Sequence, residues 1–207
     1  MDYLSRPLNR ERLAAIQQYA GHTVLDVGCG NGKYVLHLAD THAIHGVDTQ
    51  VFSSWNTRKE SFSVGSAGDL CFRSSSFDTI LLFEVLEHLL DPADALVECF
   101  RVAKRNIIIT VPNCEVPRSM ENSGLIYNHW RDRTHVNFWT LVEAVALVEK
   151  AGFDVTFSGH INYINPGHLV AHSIGLSGNL ALYFAGFFKL ITPRRFPLTT
   201  IIIANKR

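Results

Sequence analysis

The sequence is poor in every feature that marks a special environment. Its four cysteines, Cys29, Cys71, Cys99 and Cys114, include no C-x-x-C pair. That excludes a zinc ribbon and a thioredoxin-type redox motif, and the spacing suits free thiols in a reducing, cytoplasmic setting. Neither charge is in excess. Nineteen basic and nineteen acidic residues cancel, which leaves no electrostatic footprint for extended nucleic acid, although a short local contact stays open. The start, Met1-Asp2-Tyr3-Leu4-Ser5-Arg6, lacks the basic-then-apolar pattern of a signal peptide. The most apolar segment, Leu180 to Phe188, falls short of the roughly 20 residues that cross a bilayer. A core helix, a lid over an apolar pocket and an interfacial helix all fit it. The last of these implies weak peripheral membrane contact through residues 178–191.

The chain has 207 residues, 47% apolar and 18% charged, which fits a single domain over 1–207. Short apolar runs alternate with amphipathic stretches. Thr23–Val27, Ala43–Val47, Phe62–Val64, Phe77–Phe83, Asn106–Val111, Phe153–Ile161 and Thr199–Ala204 read as strands. Leu8–Ala20, Gly32–Ala39, Pro92–Ala103, Thr140–Ala151 and Gly178–Ile191 read as helices, while Thr49–Glu60 fits neither pattern. Such alternation predicts an α/β fold with a mostly parallel sheet, helices on both faces and a ligand crevice at the C-terminal strand ends. Two long excursions, about 113–136 and 163–197, are expected to roof that crevice and bind substrate.

The first strand runs into Asp26-x-Gly28-x-Gly30-x-Gly32. Glycines there let the backbone turn sharply and approach a ligand. A dinucleotide fingerprint would space them G-x-G-x-x-G. Here the spacing differs and an acid stands two residues ahead, badly placed for a pyrophosphate and well placed for the ammonium of an amino-acid ligand. Asp48, at the tip of the second strand, is positioned to accept both hydroxyls of a ribose.

The stretch Val24-Leu25-Asp26-Val27-Gly28-Cys29-Gly30-Asn31-Gly32, with Gly46-Val47-Asp48, Ser75-Ser76-Phe77-Asp78 and Phe83-Glu84-Val85-Leu86-Glu87-His88-Leu89, resembles the class I S-adenosylmethionine-dependent methyltransferases. The resemblance covers most of the chain from about Leu13 to Phe157 and the last strand. It implies a Rossmann-like, seven-stranded sheet whose last strand is antiparallel. It also implies that Asp26, Gly28 and Gly30 hold the methionine end of S-adenosylmethionine and that Asp48 binds the ribose. Cys29, Thr49, Ser66, Ala67, Phe83 and Glu84 complete the implied cofactor contacts. Where the family often has Gly-Asp-Ala, this chain has Gly65-Ser66-Ala67. Asp69 either compensates at the adenine or caps the loop.

Glu84, Glu87 and His88 follow the fourth strand. On a helical turn they share one face, and carboxylates with imidazole suit a divalent ion. With His135, which precedes Phe138-Trp139-Thr140, the set is similar to the small-RNA 3′-terminal 2′-O-methyltransferases. The quinone-biosynthesis O-methyltransferases carry a comparable element. The resemblance implies magnesium or manganese on Glu84, Glu87, His88 and His135. Without metal, His135 or His88 is the expected catalytic base, with Tyr127, His129 and Asp132 behind them. Three readings follow: methyl transfer to a hydroxyl of a small-molecule acceptor (a quinone precursor, sugar or natural product), metal-dependent RNA 2′-O-methylation, and a non-catalytic cofactor-binding scaffold. Phe184, Phe187 and Phe188 suit a hydrophobic or lipid-linked acceptor, if they are not core.

Overall fold

A computed structural model of the chain describes residues 8–115, 132–164, 167, 170–171, 174–191 and 195–207. Its strands are β1 (Thr23–Val27), β2 (Ala43–Asp48), β3 (Phe62–Val64), β4 (Phe77–Phe83), β5 (Ala103–Pro112), β6 (Phe153–Ile164) and β7 (Phe196–Lys206). They form one seven-stranded sheet in the order β3-β2-β1-β4-β5-β7-β6. The first five run parallel, and β7 lies antiparallel between β5 and β6. The expected antiparallel last strand is therefore present.

Among the described residues the sheet is flanked by the helices α1 (Arg10–Tyr19), α2 (Lys33–Leu38), α3 (Pro92–Val102), α4 (Leu141–Lys150) and α5 (Gly178–Ile191). Their starts follow from local chemistry. Asn9 caps α1 by accepting from the Arg12 amide, Pro92 opens α3 with its preset φ, and Thr140 with Glu143 forms a capping box on α4. The central strands are apolar on both faces because both are covered. On β4, Ile80 and Leu82 enter one cluster with α3 and α4, while Leu81 and Phe83 enter the other with α1 and α2. Each side chain of this size, fully buried, contributes about 1.5–3 kcal/mol.

The chain winds outward from β1 to β3, then returns beside β1 to build β4 and β5. The crevice lies at that reversal, where loops after β1 and β4 diverge. The segment Thr49–Glu60 forms two 3-10 turns, Ser53–Thr57 and Lys59–Ser61. The second excursion leaves the sheet after Ile164, which pairs with Phe196 where the chain rejoins it. Most of the first excursion, 116–131, lies outside the described residues, and with it Tyr127 and His129.

Candidate active site

Loops after four parallel strands converge on one cavity of about 230 Å³. Gly28 comes from the β1 loop, Asp48 and Thr49 from the β2 end, Ser66 and Ala67 from the β3 loop, and Glu84 from the β4 end. All six were expected at the cofactor. Gly65, Val85, His88 and Leu89 complete the lining.

Gly28 sits at φ +71° and a Cβ there would lie 2.4 Å from Val85, so the turn and the close approach both require glycine. The glycine loop is held from below by the segment whose pattern fits neither helix nor strand. Trp55 stacks on Phe62 at 4.8 Å and donates its indole N–H to the Gly30 carbonyl at 2.8 Å. The Ser54 hydroxyl donates to the Asn31 carbonyl. Asp48 Oδ2 accepts the Gly30 amide at 2.8 Å and Oδ1 accepts that of Gln50. Each oxygen keeps a second lone pair for a diol.

Asp26 lies beneath the loop, almost wholly buried, with Oδ2 lacking a hydrogen-bond partner among the described residues. Burial pushes its carboxyl up to about 7; Asp48 adds to the rise and the Arg12 guanidinium opposes it. A buried carboxylate oxygen without a hydrogen-bond partner among the described residues fits an ammonium brought by the ligand. Cys29 and Phe83, expected at the cofactor, do not line the cavity. Cys29 packs toward Gly46, and burial pushes its thiol up. Phe83 meets Tyr34 edge-on at 5.1 Å. Asp69 closes the tight turn on Ser66 through its amide and also stays off the cavity.

Arg12 escaped the sequence reading. Its guanidinium lies 5.2 Å from the Phe83 ring centre and donates to Glu84 Oε1, and its charge opposes the rise that burial gives the Tyr34 hydroxyl. Its Nε is buried without a partner among the described residues. An arginine in the first turn of an amphipathic helix reads as solvated, and the packing of α1 against the sheet turns it inward.

The expected four-ligand set divides. Glu84 adopts φ +55° rather than a helical conformation, so it does not share a helix face with Glu87 and His88. Its carboxylate turns to Arg12 and to the Thr110 hydroxyl, which donates at 3.0 Å. The 3-10 turn Leu86–His88 instead aims Glu87 and His88 at His135, and one ligand atom from each of the three lies within 4.8 Å of the others. Glu87 is buried, and neither of its carboxylate oxygens has a partner among the described residues. Burial, and then the charge of Glu84, push its carboxyl up. His135 Nδ1 is likewise buried and unpaired among the described residues. His88 Nδ1 meets the Thr134 carbonyl at 3.2 Å, so Nδ1 carries the proton and Nε2, 4.0 Å from Glu87, is left free. Orphaned oxygens and nitrogens converging in this way fit a divalent ion with a two-histidine, one-carboxylate set. Asp132 lies outside the trio, its Oδ1 accepting from the Thr134 amide and hydroxyl.

Seven strands in this order, with an acid-and-glycine loop at the reversal and a second acid on β2, define a class I S-adenosylmethionine-dependent methyltransferase fold. A family model described as a methyltransferase domain matches residues 3–157, and the chain belongs to that family. It is 29% identical over 156 residues to a probable S-adenosylmethionine-dependent methyltransferase of Mycolicibacterium smegmatis, covering 70% of this chain and 56% of that one. It is 30% identical over 110 residues to the ubiquinone biosynthesis O-methyltransferase of Paracidovorax citrulli, 47% of this chain and 46% of that one. The chain thus spans about half the length of the curated relatives it matches. A crystal structure of a putative methyltransferase from Bacillus halodurans superposes with a TM-score of 0.65 at 15% identity, covering 95% of this chain and 99% of that one.

Proposed function

We propose that this chain transfers the methyl group of S-adenosylmethionine to a hydroxyl of a small molecule, with a divalent ion at Glu87, His88 and His135. The observation that carries this reading is the Glu87 carboxylate, without a hydrogen-bond partner among the described residues, beside two imidazoles, one of which, His88, also lines the cofactor cavity. The likeness to an O-methyltransferase of ubiquinone biosynthesis supports the same acceptor chemistry.

The methionine end of the donor is zwitterionic. Asp26 meets its ammonium, and Arg12, released from Glu84, takes its carboxylate. Asp48 accepts from the ribose hydroxyls and Ser66 from the adenine. Methyl transfer from a sulfonium is an in-line displacement, so the loops contribute alignment and exclusion of water. An acceptor hydroxyl must also lose its proton. A bound divalent ion lowers the pKa of a hydroxyl it touches. His88, with its proton fixed on Nδ1 by Thr134, turns Nε2 to that place, and His135 serves as base where no ion is held.

The test is methyl transfer to a panel of phenols and catechols, followed by mass spectrometry with added manganese or magnesium and after chelation. Methyl ethers whose formation stops on chelation and returns with metal are expected. Methylation of amines alone would overturn the reading. A parallel RNA arm checks the terminal ribose hydroxyl, the other acceptor such a trio suits.

A further inference from the structure

The helix α5 presents an exposed apolar surface, none of whose residues lines the cofactor cavity. Leu180, Leu182, Tyr183, Phe187, Leu190 and Ile191 are each at least 60% exposed, whereas Ala181 and Ala185 are the residues it buries. Leu180, Tyr183, Phe187 and Leu190 recur at three- and four-residue spacing, so they line one stripe. A helix apolar nearly all round, seated on the fold by two alanines, exposes far more apolar surface than scattered leucines do.

Charge identifies what this surface suits. The chain as a whole is balanced, yet segment 165–195 carries Lys189, Arg194 and Arg195 and no acidic residue. A protein partner with an apolar groove would not require that asymmetry. An anionic lipid surface attracts it, with tyrosine and lysine at the headgroup level and phenylalanine and leucine below. At 14 residues α5 is about 21 Å long, and no helix among the described residues is long and apolar enough to cross a membrane. It can lie in the interface but cannot span it.

Topology sets the orientation. β5 ends at Pro112 on the cofactor edge of the sheet, and Pro112 pairs with Thr199 near the start of β7. Ile164, at the end of β6, pairs with Phe196. The excursion bearing α5 therefore leaves and rejoins the sheet at the edge where the cavity opens. We infer that α5 docks this chain on an anionic bilayer leaflet, with the cofactor edge of the sheet turned toward the lipid. The inference does not depend on which group accepts the methyl.

Sedimentation of the full chain with vesicles tests it, comparing phosphatidylcholine alone with an equal mixture of phosphatidylcholine and phosphatidylglycerol. Binding to the mixed vesicles is expected, weakened roughly tenfold or more in Phe187→Asp/Leu190→Asp and again in Lys189→Glu/Arg195→Glu. Both substitutions fall on exposed side chains, so cofactor binding and melting temperature should hold. Absence of wild-type binding, equal binding to neutral vesicles, or binding indifferent to both variants would overturn the inference. So would a wild-type dimer that the aspartate variant splits while vesicles go unbound, since the stripe would then belong to a second copy.

Discussion

The side-chain amide of Asn137 donates to the backbone carbonyl of Leu89 at 2.5 Å and to that of Leu86 at 3.3 Å. The amides of Val136 and Asn137 both donate to the Glu87 carbonyl. These bonds clamp the segment after the first excursion onto the turn that follows β4, and they bring His135 to within 4.7 Å, ring centre to ring centre, of His88. Asn137 is thus a positioning residue. Asn137→Ala should cost about 1–3 kcal/mol of stability and lower metal affinity about 10–100-fold. Cofactor affinity, measured in the same preparation, should stay within a factor of two of wild type (about 0.4 kcal/mol, below any lost contact).

Glu84 and Glu87, three residues apart, face different partners: Glu84 meets Arg12 and Thr110, and Glu87 lies beside His88 and His135. Titration with manganese, followed by calorimetry, should show affinity lowered tenfold or more in Glu87→Gln (about 1.4 kcal/mol) and little changed in Glu84→Gln. Equal losses in both would restore a four-ligand site. Because Glu87 is buried without a partner among the described residues, the neutral amide in its place should leave thermal stability unchanged or raise it.

Arg12 has no counterpart in the sequence motifs. Arg12→Met keeps much of the stem packed on Phe83 and removes the charge. Loss of a charge-assisted bond of about 1.5–3 kcal/mol should weaken S-adenosylmethionine binding roughly tenfold to a hundredfold. The maximal rate at saturating cofactor should be nearly unaffected. A fall in rate at saturation with unchanged affinity would place Arg12 elsewhere.

Asp26 should make cofactor binding pH-dependent. Its folded pKa of about 7 stands above the ordinary 3.8, so the free protein holds a proton that an incoming ammonium must expel. Affinity should rise about tenfold per pH unit as pH approaches 7 and level off above it. Folding stability without cofactor runs the other way. The folded state binds that proton more tightly than the unfolded one, so this contribution is full below 3.8 and is lost as pH rises toward 7. Denaturant melts of wild type and Asp26→Asn across this window should diverge accordingly.

The sheet, the glycine turn and Asp48 were legible because each rests on local chemistry: apolar runs, positive-φ glycines and an acid at a strand tip. What was not legible depends on tertiary placement. Helical periodicity put Glu84 on a face with Glu87, but Glu84 takes φ +55°, a conformation that a non-glycine residue holds only where its surroundings impose it. Here the Arg12 and Thr110 bonds do so. Trp55 sat in a polar stretch with no period, and its indole bond to Gly30 spans 25 residues. The extension of β6 and β7 beyond their apolar centres reflects antiparallel pairing with each other, which a strand read alone does not show.

Calorimetric titration with S-adenosylmethionine tests the central claim most directly. The wild type should bind one equivalent, and Asp26→Ala, shown to be folded by circular dichroism, should bind none. A folded wild type that takes up no S-adenosylmethionine, or an Asp26→Ala variant that binds as tightly as wild type, would contradict the account.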